Sequence, residues 1–283
     1  MYDVEMLVTR TATLAPLPKT YYQLNNAINN PSTSLKDIGD IINQDASLTA
    51  QLLRIANSAL FNFPAQITSV NQAITVIGIQ QLRELTLACT VLRAFPLIPG
   101  NYVNIAGFWQ HSLAVGVASR VIASFRKESN IERYYVLGLL HDIGRIVMFL
   151  GDPDTSRELL QSSSQSKQLL HNIETARWEL DHGHISAAFL AHWNLPAAIW
   201  EPLSQHHHPE KADNYQEECA TVHVADIIAH ALELGISGEK RVPPISDVAW
   251  QRLGLNPEQL PQIVAEIEHQ YDESVDLFKS NLH

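Results

Sequence analysis

Apolar residues recur three and four positions apart along most of this chain, and the runs are opened or closed by residues that suit helix ends. In "STSLKDIGDII", Ser34 offers an N-cap with Asp37 three residues on, followed by Ile38, Ile41 and Ile42. "DASLTAQLLRIANSALF" opens on Asp45 and carries a face of Leu48, Leu52, Ile55, Ala56 and Ala59. "SVNQAITVIG" repeats the device with Ser69, Gln72 and a terminating Gly78. The next helix is expected from Ile79 to Phe95, closed by Pro96 and Pro99. Further on, the spacing predicts helices over Trp109–Phe125 and Glu132–Leu150, and one opening near Glu174 that breaks around Gly183. Ile185–Trp193, Ala197–Ser204 and Cys219–Leu234 follow, and the last helix opens on Asn256 and Pro257 with Leu260, Ile263, Val264 and Ile267 on one face. Period-two alternation of β-branched residues is nearly absent, so the fold is expected to be all-α.

No segment repeats at a fixed period, and "QSSSQSKQ" at 161–168 reads as an exposed loop or helix end. Pro96–Gly100 is the expected hinge, dividing the chain into an N-terminal helical subdomain, 1–99, and a C-terminal part, 100–283. So short a linker leaves open that both share one core. Asn57 and Ser58 read either as part of an interaction site or as a hydrogen-bonding pair that ends a helix.

The 283 residues are 46% hydrophobic, enough for one large core or two modest ones. Thirty acidic against 19 basic residues give a formal charge of −11, which argues against nucleic acid and anionic membranes as partners, because both need a positive surface. The start has neither a basic leader nor a long apolar run, and the greasiest stretch, Ile146–Leu150, is too short to cross a bilayer. A cytoplasmic protein is therefore expected. Cys89 and Cys219 are far apart and in no CxxC pattern, so they read as buried thiols.

The 13 histidines carry more information. His111, the doublet His141–Asp142, His182 and His184, "QHHHP" at 205–209 and Asp226 all fall in apolar helical settings. Imidazoles and carboxylates together suit Fe, Mn, Zn or Ni better than Ca. Adjacent residues on an α-helix point about 100° apart, so His141 and Asp142 can share an ion only if it sits over the edge between them. The other ligands must then come from other helices, and His111 and Asp226 are suitable donors. His171, His192, His230, His269 and His283 read as ordinary hydrogen-bonded or surface histidines.

The order His, His-Asp, distant Asp resembles the HD superfamily of metal-dependent phosphohydrolases. Nearly the whole chain is similar to the HDOD ("HD-related output domain") proteins of bacterial signalling. That resemblance is carried by "LAPLP" at 14–18, "INQDASLTAQLLRIANSALF", "ITSVNQAITVIGIQQLREL", "FWQHSLAVGVASRVIA", "GLLHDIGRIVMF", "HISAAFLAHWNLPAAIWEPLSQHHHP" and "HVADIIA". It implies a multi-helix HD-type bundle with an additional N-terminal helical subdomain. It also implies that His111, His141, Asp142 and Asp226 hold one divalent metal. His182, His206 and His207 match the histidines that hold a second metal in HD-GYP phosphodiesterases. Arg145 matches the basic residue that contacts phosphate. Three departures stand against a two-metal phosphodiesterase: Gly107 where those enzymes carry a glutamate, "QHHHPEKADNY" in place of "HHExxDGxGYP", and His184 and Ser186 where an acidic residue and a glycine are usual.

Two functions follow from the resemblance. The chain is a signalling module that retains an HD-type metal site of Fe, Mn, Ni or Zn and meets protein partners. Alternatively, it is an active phosphohydrolase on a phosphorylated small molecule or nucleotide. In the second case the ion would generate a hydroxide nucleophile, Arg145 would offset phosphoryl charge, and His182 or His206 would move protons or hold a second ion.

Overall fold

The computed structural model describes residues 4–58, 61, 63, 65–95 and 104–279, with side chains described as far as 275. It is helical, with no strand among the described residues, as the spacing predicts. The chain forms two compact units, Met1–Ala15 with Leu97–Glu268, and Pro16–Pro96 with His269–His283. The 99/100 boundary and the Pro96–Gly100 hinge expected from sequence lie outside the described residues, as do Ala59 and His283.

The smaller unit contains α2 (Lys19–Ile28), α3 (Leu35–Asn43), α4 (Ala46–Ala56), α5 (Val70–Ile77) and α6 (Ile79–Ala94). Its helix starts are those that local chemistry dictates. Ser34 and Asp37 make a reciprocal capping box, Asp45 accepts from the Leu48 N–H, and Ser69 accepts from the Gln72 N–H. Leu24, Ile42, Leu48, Leu52 and Leu82 close the core. Asn57 ends α4: its amide donates to the Leu53 and Ile67 carbonyls and accepts from the Ile67 N–H at 2.7 Å, while the Ser58 hydroxyl bonds the Ile55 carbonyl.

The larger unit holds α1 (Val4–Leu14), which packs on α9 (Ile143–Gly151) and α12 (His182–His192). The helix α7 (Ile105–Phe125) is buried along nearly its whole length against α8 (Ile131–Leu140) and α14 (Gln216–Ala231). The helices α10 (Pro153–Gln165), α11 (Leu170–Trp178), α13 (Ala197–Ser204) and α15 (Asp247–Leu253) complete it, and α16 (Leu260–Lys279) begins in it, after a short 3₁₀ turn capped by Asn256. The polar 161–168 stretch is the end of α10 and the turn after it.

The single helix expected over Glu132–Leu150 is two helices, because the chain leaves α8 at His141 and re-enters α9 after Asp142. The freed backbone groups are satisfied from α12: the Ser186 hydroxyl accepts the Gly144 N–H at 2.8 Å and donates to the His141 carbonyl at 2.9 Å. Only glycine fits at position 144, since a Cβ there would lie 2.1 Å from the His182 carbonyl oxygen. The stretch Ile131–Gly151 is long and apolar enough to span a membrane by composition, a longer run than Ile146–Leu150, yet 83% of the window is buried within the protein. The helix near Glu174 likewise ends earlier than expected: α11 stops at Trp178, Glu179 turns left-handed, and Asp181 caps α12.

Ser186→Ala should leave a buried carbonyl and a buried N–H unpaired and destabilise the protein by about 2–4 kcal/mol, read by urea unfolding at neutral pH. A change under about 0.5 kcal/mol would mean that the turn does not depend on this hydroxyl.

Candidate metal centre

Three helices, the break between two others and one turn converge on a polar cluster inside the larger unit. His111 comes from the first half of α7, His141 and Asp142 from the break between α8 and α9, His182 from the start of α12, His206 and His207 from the turn after α13, and Asp226 from α14. Three groups bring potential ligand atoms within 4.8 Å of one another: His111, His141 and Asp142; His111, Asp226 and His230; and His182, His206 and His207. All seven residues expected as ligands thus fall in the cluster. His184 does not; its ring pairs with Asp181 at 2.8 Å. His208 pairs with Glu210.

Asp226 Oδ1 is the hub of one half. His111 Nε2 lies 3.1 Å from it, His230 Nε2 3.4 Å and His141 Nε2 3.6 Å. Asp142 is the hub of the other, with its Oδ1 2.9 Å from His182 Nε2 and 3.5 Å from His141 Nε2, and its Oδ2 3.4 Å from Arg145 Nε. His207 Nε2 faces His182 Nε2 at 2.7 Å. One guanidinium nitrogen of Arg145 donates to the Ser237 carbonyl, another lies 3.4 Å from His182 Nε2, and its Nε has no aligned hydrogen-bond partner.

The backbone orients the rings. His141 Nδ1 donates to the Gly138 carbonyl and His206 Nδ1 to the Leu203 carbonyl, each at 2.7 Å, so in the neutral rings both Nε2 lone pairs point inward. Those two Nε2 atoms and both Asp142 oxygens are buried without an aligned hydrogen-bond partner. Buried acceptors facing each other repel unless a proton or a cation lies between them. Three buried carboxylates, Asp142, Asp226 and Glu174, stand against the single guanidinium of Arg145, so protonated imidazoles or a bound cation must supply the balancing charge. The nitrogen-and-oxygen donor set, with each ring fixed through its other nitrogen, therefore fits a first-row transition metal.

Titration follows the same geometry. Burial works against ionising Asp142, but Arg145, His141 and His182 overcome it and hold the carboxyl well below its usual range; His230, His111 and His141 do the same for Asp226. Burial also opposes charging His182, yet Glu174 and Asp142 lift it to about 10, and the two aspartates raise His141. His206, buried and beside His141 and His182, is pushed down to about 3.

Sequence reading passed over three members of this environment. Glu174, noted only as a helix start, accepts from both the Nδ1 and the backbone N–H of His182, at 2.6 and 3.0 Å. His171 stacks on the ring of His207 at 4.2 Å. His230, read as ordinary, stands among the ligand atoms; its signal was the i,i+4 spacing from Asp226.

The sequence model of the HDOD domain matches residues 14–209. The chain belongs to the HDOD family. Among solved structures it resembles a candidate phosphohydrolase from Shewanella amazonensis SB2B, at 23% identity and a TM-score of 0.75, covering 96% of this chain and 97% of that one. It also resembles an HDOD domain protein of unknown function from Geobacter sulfurreducens, at 24% identity and a TM-score of 0.73, with 95% and 99% covered. An uncharacterized protein of Treponema pallidum (strain Nichols) is 24% identical over 229 residues; the matched part is 80% of this HDOD chain and 44% of that relative's length. These likenesses show the fold. Asp226 and His230 lie beyond the segment that the HDOD model matches.

Metal uptake by this HDOD protein should release protons, because His141 holds its proton more firmly than free imidazole and must give it up to become a ligand. Affinity should therefore rise as pH goes from 6 to 8. Calorimetry of Zn²⁺ or Mn²⁺ binding in buffers of different ionisation enthalpy should find about one proton or more released per ion at pH 7. Binding with no proton release would contradict this account of the cluster.

Proposed function

We propose that this HDOD protein is a signal-transduction module built around a buried divalent metal centre, and that it acts through contacts with other proteins. One ion of Fe, Mn, Ni or Zn is held by His111, His141, Asp142 and Asp226, with His182, His206 and His207 beside it. The observation that carries this reading is burial. His111, His141, Asp142 and His206 are each 1% exposed and His182 is 0% exposed, so a phosphoryl group has no open approach to them. Arg145 is already held by the Ser237 carbonyl and the Asp142 carboxylate.

One feature favours the second reading, a phosphohydrolase. A narrow cleft of about 10 Å³ is lined by Arg145, Glu174, Met148, Phe149, Leu159 and Leu170, room for about one water, so a phosphorylated molecule would reach the guanidinium from that side only if those walls moved apart. A bound ion would supply Lewis-acid activation of phosphate and water there. Arg145 would bind the phosphate, and Glu174 would hold His182 in one orientation.

The test is metal analysis of protein purified without chelators or a metal-affinity tag, together with assays on aryl phosphates and cyclic dinucleotides. The module reading expects about one transition-metal ion per chain, a melting temperature several degrees lower after chelation, and no turnover. Metal-dependent turnover abolished by His141→Ala would establish the hydrolase instead. Protein that takes up no metal would end both readings.

A further inference from the structure

The α14 helix presents Asp226 and His230 four residues apart, hence on one face. His230 Nε2 lies 3.4 Å from Asp226 Oδ1, and its ring centre is 4.7 Å from that of His111. Ligand atoms that share an ion at about 2.1 Å stand about 3.0–3.6 Å apart when adjacent in the coordination shell. The spacings around Asp226 Oδ1, 3.1 Å to His111, 3.4 Å to His230 and 3.6 Å to His141, all fall in that range, as does the 3.5 Å between His141 and Asp142. We propose that His230 is a further protein ligand, adding a third imidazole to those of His111 and His141 around Asp226.

This rests on the metal-centre reading above and deepens it. A hydrolytic ion keeps a coordination position open for water or substrate, whereas a structural one is closed by protein ligands. A further protein ligand leaves fewer positions for water or substrate on the ion. Three imidazole nitrogens also select Fe, Mn, Co, Ni or Zn over Mg, which prefers oxygen. The competing account is that His230 only hydrogen-bonds: the Ser237 hydroxyl is 3.3 Å from its Nε2.

Two measurements separate the accounts. X-ray absorption at the Zn edge of zinc-loaded wild-type protein should count three imidazoles, and it needs no variant to fold. The Co²⁺-loaded His230→Gln protein, which keeps a hydrogen-bonding side chain, should show a changed visible spectrum and at least about tenfold weaker Co²⁺ affinity. In His230→Ala, added imidazole should restore the wild-type spectrum. Two imidazoles in the metal-loaded wild type, or Co²⁺ spectra and affinity unchanged in His230→Gln, would overturn the proposal while leaving the metal centre standing. A wild type that binds no Zn²⁺ or Co²⁺ would remove the centre itself and this ligand with it.

Discussion

The break that places His141 and Asp142 at the centre of the larger unit is held by one hydroxyl. A helix that ran straight through His141 and Asp142 would point them about 100° apart and keep their backbone groups to itself. Ser186 reaches across from α12, accepts the Gly144 N–H and donates to the His141 carbonyl, and so makes a break in a greasy helix tolerable at depth. The break turns His141 toward Asp226 while Asp142 faces His182 and Arg145. Gly144 permits the close approach, because α12's backbone occupies the space where any side chain would begin.

Charge is the second constraint, and it is met by density of partners instead of by water. Asp142 and Asp226 each face at least two basic groups and Glu174 faces His182, while His141, His182 and His206, whose Nδ1 atoms bond a carbonyl or carboxylate, turn Nε2 inward. Such an arrangement costs a great deal to bury and is hard to relax, because moving any member leaves another unpaired. It is a rigid cage.

How much of this could be read from residues alone depends on how local its cause is. Ser34, Asp45 and Ser69 cap their helices through bonds spanning three residues, so the spelling of the chain was sufficient. His111 and Asp226 stand out as donors to His141 and Asp142 by their apolar helical settings, but that these four rather than others form the set comes from the resemblance, since nothing in spacing brings α7 to α14. The break at 141–142 was invisible: the run is continuously apolar, and the group that enforces the turn lies 42 residues beyond Gly144. The helices α1, α2, α10 and α15 do not stand out in the sequence pattern. His230 and Glu174 were undervalued for a different reason. Each was judged singly, while its role comes from the residue it faces.

The first helix belongs to the unit that resumes only at Leu97, with the body of the smaller unit threaded between. During synthesis α1 therefore leaves the ribosome long before α9 and α12, the helices it covers, and its apolar side must wait for them. Residues 16–96 can gather meanwhile through short-range contacts, whereas the cage cannot close until Asp226 has emerged. The interval between those events is when chaperones or stray aggregation would find this chain most open.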